Sequence, residues 1–344
     1  MKIRMPSYYP AFRCAAGACP DTCCSCWEVI VDPETRKKYE ALPGTLGERV
    51  REVLRVDENG ESYLAFPDGR CPMLTEAGLC SLQKEYGEEM LSRVCDRYPR
   101  FRYEFGAFAE LGVSLSCPAA CRLILDTPFV LTETENSDPP SMNDIRPERY
   151  IAFSRGRKLA FAIAEDRRFR VFERTALLLS FAEELERSVT DPQEVLSAWS
   201  ADSLPDRLAA LRPNKCGRFS SLLRAFKTMD WLTQRFPAML DRLTEASPLP
   251  DEIQAERLLQ YFLYKYFLQA AYDGKLLKKV QFASAMLLLL GALFRSEEPQ
   301  NAEDVTDLFH LCSRELEHSE ENLSVFFSWA GKRRQTLLIR LLFS

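Results

Sequence analysis

Ten of the chain's twelve cysteines lie within its first 121 residues. Eight of them have spacings that suit metal ligands: Cys14, Cys19, Cys23, Cys24, Cys71, Cys80, Cys95 and Cys117. Cysteines that serve only as small core residues are scattered along a chain, whereas four of these fall within residues 14–24. Disulfides, metal ligation or redox chemistry would require such a density.

The compartment helps to choose among these three chemistries. The first nine residues contain no apolar run long enough for a signal peptide, so we expect a cytoplasmic protein with reduced thiols. Disulfides are therefore the weaker interpretation. The sequence favours a metal or cluster bound by cysteines.

Zinc and an iron–sulfur cluster both accept thiolate ligands. The only histidines, His310 and His318, lie far along the chain, so mixed Cys/His fingers are not predicted for the N-terminal region. Only Cys23-x2-Cys26 has the spacing of a zinc knuckle, which tilts the choice toward iron. Eight thiolates could form two zinc sites, or one cluster with the other cysteines spare or holding a second metal.

Cys19-x3-Cys23-x2-Cys26 also has the spacing with which radical S-adenosylmethionine enzymes hold a [4Fe-4S] cluster. Those enzymes place the triplet in a barrel of alternating strands and helices. This chain shows no such alternation after residue 126, so we interpret the match as coincidence.

Other chemistry has little support in the sequence. It has no glycine-rich phosphate loop, no G-x-G-x-x-G fingerprint and no H-E-x-x-H motif. A net charge of −5 provides no general attraction for nucleic acid. The aromatic run at 261–267 is interpreted as core packing, and His310 and His318 as surface or hydrogen-bonded residues rather than ligands.

Short elements must position the cysteines. We predict a strand at 28–31, a helix that starts at Asp32-Pro33, and a second strand at 62–66 before the turn 67–70 that leads to Cys71. Helical spacing from 81 to 98 predicts one helix with Cys80 at its N-terminus and Cys95 near its end. A hairpin around Gly106 then leads to Cys117. A metal centre would supply the stability that so few small elements lack.

The remaining chain predicts helices, so the fold class is mainly α: a small α+β cysteine-rich metal-binding domain followed by an all-α helical domain. We place the first domain at 1–125, a proline-containing linker or wrapping loop at 126–148, and the helical domain at 149–344. Helical runs are predicted at 148–188, 192–210, 215–245, 251–273, 275–295, 301–319 and 321–342. The longest apolar stretch, 282–294, is too short for a transmembrane helix, and no membrane span is predicted.

These motifs resemble the flagellin lysine N-methylase family of bacteria. The resemblance is dense over residues 5–125 and weaker at 256–267. Its residues are Pro6-Ser-Tyr-Tyr9, the run from Cys14 through Cys24 to Trp27, Asp32, Cys71-Pro-Met-Leu74, Gly78-Leu-Cys80, Gly87-Glu88, Cys95-x2-Tyr98-Pro-Arg100 and Ser116-Cys117-Pro118. The cysteine-rich part also resembles small proteins that chelate zinc or iron.

The resemblance implies a protein lysine N-methyltransferase of the bacterial flagellum. It implies S-adenosylmethionine as methyl donor, a [4Fe-4S] cluster (alternatively zinc), and flagellin or a related filament protein as substrate. The eight cysteines named first match the family's positions, whereas Cys26 and Cys121 stand where other residue types are expected, as spare thiols or alternate ligands. No catalytic base or donor site is assigned. The alternative is a zinc- or iron-binding interaction or chaperone-like module without catalysis.

Lysine methylation makes one physical demand that the sequence alone leaves open. The acceptor amine, with an ordinary pKa of about 10.4, must lose its proton before it can attack. Asp21, Glu28, Asp32, Tyr98 and the 261–267 aromatics are candidates by residue type only, and each is expected to be structural.

Overall fold

The secondary structure consists of seven short strands and many helices among the described residues. The computed structural model describes residues 1–25, 29–137, 139–141 and 145–344. The strands are β1 (Lys2–Pro6), β2 (Val29–Val31), β3 (Leu54–Val56), β4 (Ser62–Leu64), β5 (Arg100–Phe105), β6 (Phe108–Val113) and β7 (Leu131–Glu135). The helices of the N-terminal part are α1 (Pro33–Ala41), α2 (Gly44–Val53), α3 (Ser81–Tyr86), α4 (Arg93–Arg97) and α5 (Pro118–Asp126). The remaining helices are α6 (Pro147–Glu165), α7 (Val171–Arg187), α8 (Gln193–Ala198), α9 (Leu204–Leu211), α10 (Phe219–Phe226), α11 (Arg235–Arg242), α12 (Glu252–Tyr266), α13 (Ala270–Asp273), α14 (Leu276–Glu297), α15 (Ala302–Glu317), α16 (Glu320–Trp329) and α17 (Lys332–Leu342). The prediction of a mainly α protein is confirmed.

A small core forms around the antiparallel sheet β2-β4-β3 and the helices α1 and α2. Val29 and Val31 point into this core, while Ile30 between them is 50% exposed, as a strand with one buried face requires. The predicted start of α1 is confirmed, because the Asp32 carboxylate caps it by accepting a hydrogen bond from the Thr35 backbone N–H at 3.1 Å.

The prediction of one helix from 81 to 98 is wrong. The chain forms α3, a 3₁₀ turn at Glu88–Met90 and then α4. Gly87 breaks the helix because its φ of +89° lies outside the helical region. Ser92 then begins α4 by accepting a hydrogen bond from the Cys95 backbone N–H. Cys80 is the N-cap residue of α3, as predicted, and Cys95 lies in the second helix.

A four-stranded sheet, ordered β5-β6-β1-β7, stands beside the helices. The predicted hairpin around Gly106 is confirmed as β5 and β6, and Gly106 has the φ of +65° that the tight turn favours. Two strands of this sheet were not predicted, nor was β3 of the smaller sheet: β1 pairs in parallel with β6, and β7 lies within the segment predicted as a linker. The outer strand β7 exposes all five of its residues.

This sheet shares a core with the helical part of the chain. The Tyr264 hydroxyl of α12 donates hydrogen bonds to the carbonyls of Arg4 and Leu111, at 2.9 and 2.8 Å. On α6, Arg157 forms a buried ion pair with Glu110 of β6. The large core that results runs from Tyr8 to Leu342.

Helix α14 lies at the centre of that large core. By length and composition alone its 22 residues could cross a membrane, but 94% of its most apolar window is buried inside the protein. A helix surrounded by protein on this scale is typical of a globular core. Among the described residues it is the one helix that meets the length and composition test for a span.

Candidate metal centre and the adjoining polar network

Four of the predicted ligands gather at the small core, and we call them the first thiol set. Cys71 is buried within that core, and Cys24, Cys80 and Cys95 pack against it. The thiolate charges of Cys24, Cys80 and Cys95 each raise the pKa of Cys71, so all three lie within electrostatic range of it. Cys24 lies in the N-terminal loop, Cys71 and Cys80 lie in the segment 71–80, and Cys95 lies in α4.

Short backbone contacts hold the first thiol set in place. The Cys71 backbone N–H donates to the Cys24 carbonyl at 2.8 Å, which joins two cysteine loops that are far apart in sequence. Leu74 and Cys80 form a β-bridge, and the Ser81 N–H donates to the Met73 carbonyl at 2.8 Å. This segment, 71–81, therefore folds back as a loop that brings both of its cysteines to one side.

The other four predicted ligands, Cys14, Cys19, Cys23 and Cys117, form the second thiol set. The Cys14 and Cys19 charges both raise the pKa of Cys117, and the Cys14 charge also raises those of Cys19 and Cys23. Cys117 occupies the N-cap position of α5, with Pro118 in the first turn. The buried member of this set, Cys117, belongs to the large core, whereas Cys71 of the first set belongs to the small core.

Burial and neighbouring N–H groups act in opposite directions on these thiols. Burial raises the pKa of Cys95 to about 11 and that of Cys117 to about 11. Burial also raises the pKa of Cys80, but the Gln83 and Leu82 backbone N–H groups at the start of α3 lower it. Helix N-terminal N–H groups that point at sulfur stabilise a thiolate, which is the form that binds metal.

Cys23 and Cys24 are adjacent in sequence and share a hydrogen bond between their sulfurs. This interaction lowers the pKa of Cys24, as do the positive charges of Arg70 and Arg314, and it raises the pKa of Cys23, which burial raises as well. Of the two thiols, Cys24 therefore loses its proton more readily.

Two cysteines of the N-terminal part, Cys121 and Cys26, belong to neither thiol set. Cys121 is buried, and its thiol donates to the Thr306 carbonyl at 3.8 Å, so it packs α5 against α15. Cys26, the third cysteine of the radical S-adenosylmethionine triplet, lies outside the described residues. Within the part of the chain that the structure describes, no three His, Cys, Asp or Glu side chains already stand at metal-ligating positions. The ligand set stays a prediction.

A groove of about 300 Å³ opens between the N-terminal loop that carries Cys19 and the segment 70–78. Its lining residues are Ala16, Gly17, Cys19, Pro20, Thr22, Ser25, Arg70, Leu74 and Gly78. Its two loops meet at glycines, since a Cβ atom on Gly17 would lie 2.6 Å from the Ala77 carbonyl oxygen. The groove thus combines a thiol, hydroxyls and one guanidinium.

Helix α15 binds the N-terminal loop that carries Cys14, Cys19, Cys23 and Cys24. Arg314, which is buried, donates from Nη1 to the Asp21 carboxylate at 2.7 Å and from Nη2 to the Ser25 carbonyl. His310, one turn earlier and also buried, has Nδ1 at 3.7 Å from the same Asp21 carboxylate. Asp21 is thus a structural ion-pair partner, as the sequence predicted.

A buried polar network lies directly behind Cys117. Lys265 Nζ donates to Glu317 Oε2 at 2.6 Å, and the hydroxyls of Tyr261 and Tyr266 donate to the same oxygen at 3.0 and 2.7 Å. The rings of Phe101, Tyr261 and Tyr266 lie 5.5, 5.6 and 5.4 Å from the Lys265 ammonium. Although burial acts to raise it, the pKa of Glu317 is lowered by the Lys265 charge and these hydrogen bonds.

The network continues to the loop that carries Cys117. Lys265 also donates to Ser114 Oγ at 3.2 Å, and the Leu115 backbone N–H donates to the Tyr261 hydroxyl at 3.0 Å. Ser116 is hydrogen-bonded to His318 Nε2 and, at 3.1 Å, to the Tyr98 hydroxyl. A chain of polar groups therefore connects α12 and α15 to the residue next to Cys117.

Sequence reasoning anticipated only part of this network. The 261–267 aromatics are buried in the core, as predicted, but two of their hydroxyls also bind Glu317. His318 is an exposed residue that is hydrogen-bonded through Nε2, in agreement with its predicted role. Lys265 and Glu317 were not predicted, because their spacing to Ser114 exists only in the folded chain. The one signal in the sequence was Lys265 itself, a charged residue within the aromatic run at 261–267.

Comparison with known proteins places the chain in a family. Residues 157–335, about half of the chain, match the family model for the FliB lysine N-methylase C-terminal domain. The chain is 31% identical over 141 residues to the lysine-N-methylase of Salmonella typhimurium, which covers 39% of this chain and 35% of that protein. It is 30% identical over 166 residues to the flagellar biosynthetic protein FliU of Salmonella muenchen, which covers 46% of this chain and 97% of that protein.

The chain therefore belongs to the FliB lysine N-methylase family, and the predicted resemblance is confirmed. It spans about a third of the length of the Salmonella lysine-N-methylase that it matches. No solved structure matches the chain.

Proposed function

We propose that the protein is a lysine N-methyltransferase that transfers methyl groups from S-adenosylmethionine to lysine side chains of flagellin or a related filament protein, with a [4Fe-4S] cluster bound by its cysteines. Family membership is the observation that carries this proposal. The flagellar substrate is supported by the name of the FliU relative.

The donor set of the N-terminal part fits a thiophilic centre. The eight thiols come from four stretches of the chain, four of them lie in or against the small core, and backbone N–H groups at the starts of α3 and α5 favour the thiolates of Cys80 and Cys117. A [4Fe-4S] cluster, when bound, supplies electron-transfer or Lewis-acid chemistry and cross-links the loops. Zinc bound by the same thiolates would supply only the cross-link.

A proton acceptor is needed because a protonated amine has no lone pair. Among the described side chains beside the second thiol set, His318 fits this role best. Burial and the Lys265 charge lower its pKa to about 4, so its ring is neutral near pH 7. The His318 ring lies 5.5 Å from that of Tyr98 at the protein surface, where an incoming lysine can reach it.

We propose that the methyl donor binds in the groove that Cys19 and Arg70 line. Arg70 is exposed on its rim, and its guanidinium would bind the donor's carboxylate. Gly17 and Gly78 let the two loops that form the groove pack closely, since a Cβ atom on Gly78 would lie 3.3 Å from the Gly17 Cα. Replacement of Arg70 by alanine should weaken S-adenosylmethionine binding about tenfold, whereas Arg49→Ala, at another exposed arginine, should not.

The test is an anaerobic assay of the metal-loaded protein with S-adenosylmethionine and flagellin from the same organism, read by mass spectrometry. We expect mass increases in steps of one methyl group on surface lysines, and activity that rises with pH as the acceptor amine loses its proton. His318→Gln should lower the rate and remove one limb of the pH profile. A cluster-loaded protein that binds flagellin but transfers no methyl group would instead indicate the interaction module.

A further inference from the structure

We propose that a groove between α10 and α16 binds an acidic segment of a polypeptide partner. The groove has a volume of about 280 Å³, and two arginines, two hydroxyl residues and an apolar surface line it: Arg224, Arg334, Ser221, Thr228, Val325 and Trp329. The partner's carboxylates would bind the two guanidinium groups, and an apolar side chain beside them would pack against Trp329. This inference goes beyond the proposed function, because it depends neither on methyl transfer nor on a bound metal.

Both walls of the groove come from segments that contain no acidic residue. Residues 211–229 and 322–344 include no Asp or Glu, although the chain as a whole has a net charge of −5. The two segments carry nine cationic residues: Arg212, Lys215, Arg218, Arg224, Lys227, Lys332, Arg333, Arg334 and Arg340. Positive charge is therefore concentrated in two stretches of an acidic protein.

The fold brings these two stretches side by side. Just before α10, the Gly217 backbone N–H donates to the carbonyl of Arg340, in the last turn of α17, at 3.2 Å. The buried rings of Phe226 and Phe326 stack with their centroids 6.3 Å apart, which joins α10 to α16. Because both walls are anchored in the large core, the groove is already formed before a partner arrives, and its formation costs no binding energy.

Most of the cations on these walls have no carboxylate partner. Six of the nine are exposed and form no ion pair among the described residues: Lys215, Arg218, Arg224, Arg333, Arg334 and Arg340. Elsewhere on the helical part, the exposed Arg242 and Arg295 each lie 2.7 Å from a glutamate oxygen. A cluster of unpaired like charges attracts an oppositely charged partner and favours its association.

Uncharged neighbours hold the two guanidinium groups that line the groove. Arg224 Nη2 donates to the Ser221 hydroxyl at 3.2 Å, and Arg334 Cζ lies 5.2 Å from the centre of the Trp329 ring. A guanidinium has five N–H donors, so both arginines keep donors for a carboxylate. Ser221, which accepts from Arg224, can donate its own hydroxyl proton to the same ligand.

The apolar surface of the groove favours a polypeptide over a free anion or a nucleic acid. Val325 and Trp329 are both partly buried and provide a surface that phosphate recognition does not require. The groove is also smaller than the roughly 300–1,000 Å³ of pockets that enclose a whole small molecule. Tryptophan and arginine are the residue types that contribute most to protein–protein binding. A Glu or Asp beside an apolar residue would therefore fit both features of the groove.

The test measures binding of an acidic peptide to the full chain by fluorescence anisotropy, without S-adenosylmethionine. The probe is a labelled peptide of alternating Glu and Leu residues, and its control is a peptide of the same length with Gln in place of Glu. We expect Arg224→Glu and Arg334→Glu each to weaken binding of the Glu peptide about tenfold or more, because a repelling charge replaces the guanidinium. Arg49→Glu, at an exposed arginine of α2, makes the same change in net charge and should bind like the wild type.

Salt separates the charged part of the site from its apolar part. Higher ionic strength should weaken binding of the Glu peptide, since it screens exposed charges. Trp329→Leu should weaken binding while the salt dependence stays that of the wild type. Circular dichroism checks that each variant is folded, and the two exposed arginine positions keep the test valid if the Trp329 variant is not.

Four outcomes would overturn the proposal. Failure of the Glu peptide to bind, or equal binding of the Gln peptide, would show that carboxylates are not recognised. Unchanged binding by both arginine variants would place the site elsewhere. Tighter binding of a single-stranded oligonucleotide, lost in the same variants, would make the partner a nucleic acid. A protein that binds the Glu peptide through both arginines but methylates no lysine would support this surface and contradict only the proposed function.

Discussion

The small core and the large core differ in what can hold them together. The small core contains twelve buried residues of the described chain, one of them Cys71. The large core runs from Tyr8 to Leu342 and surrounds the buried helix α14. Burial of apolar area contributes roughly 25 cal/mol per Å², so it is sufficient for the large core. So small a core gains more from an added cross-link, and the proposed metal would supply one through the first thiol set, whose members lie in or against this core.

Polar groups inside the two cores also differ. The large core encloses charges that are paired within the protein, such as Lys265 with Glu317 and Arg157 with Glu110. At the small core, burial and the charges of neighbouring thiols raise the pKa values of Cys71 and Cys95. A metal cation bound there, as proposed above, would offset the repulsion among these thiolates.

The largest expected effect is therefore that of metal removal. Chelation, or oxidation of the centre, should unfold residues 29–95 before the helices, because the small core loses the bonds that join its loops. Limited proteolysis followed by mass spectrometry should detect early cuts in α2 and in the 67–80 loop. Helix α14 should remain uncut under the same conditions.

Cys216→Ser protein, treated in parallel, controls for general thiol damage, since Cys216 is exposed in the helical part. Equal protease resistance of the metal-free and metal-loaded forms in residues 29–95 would contradict the prediction. It would mean that the apolar contacts of the small core are sufficient for its stability.

A smaller effect is expected from the buried ion pair of the large core. Lys265→Met leaves the Glu317 carboxylate buried without its cation and should lower the free energy of unfolding by about 3 kcal/mol. Adding Glu317→Gln removes the uncompensated charge and should recover most of the loss. Urea unfolding followed by fluorescence measures both changes.

Lys227→Met provides the matched control for that experiment. Lys227 and Asp241 form an exposed pair at 2.6 Å, and loss of such a pair should change the free energy of unfolding by less than about 1 kcal/mol. Equal effects of the two lysine variants would show that the Lys265 network adds nothing beyond a surface ion pair. The large core would then be held by apolar packing alone.

The helices could be predicted from sequence because their apolar spacing is local. The run predicted at 275–295 is α14, and that at 301–319 is α15, each within a few residues. The break within 81–98 was missed because the apolar pattern continues across it, while Gly87 and the Ser92 cap interrupt the backbone. The parallel pairing of β1 with β6 joins residues more than a hundred positions apart, and no local pattern encodes such a contact.

The candidate site likewise has features that the sequence predicts and features that only the fold creates. Residue type and spacing identified the eight cysteines, but their separation into two sets depends on the loop contact between Cys71 and Cys24. Lys265 could not be connected with Ser114, since the hydrogen bond between them crosses from α12 to the loop after β6. Sequence thus indicated the chemistry of the site, and only the fold determines which residues share it.

The smallest expected effect concerns the cap that joins two parts of the small core. The Asp32 carboxylate accepts hydrogen bonds from the Thr35 and Arg93 backbone N–H groups, at 3.1 and 2.9 Å, and so connects α1 to the start of α4. Partial burial acts to raise the pKa of Asp32, but these bonds lower it to about 2. A carboxylate with a lowered pKa stabilises the fold fully above its unfolded pKa of about 3.9, and this contribution is lost as the pH falls toward 2. Asp32→Ala should therefore lower the free energy of unfolding of metal-loaded protein by about 1 kcal/mol at pH 7, and by less near pH 3. Asp32→Asn, which keeps a capping oxygen but does not titrate, should lose less at pH 7. Urea unfolding at the two pH values measures these differences, and an Asp32→Ala effect that grows on acidification would contradict the assigned role.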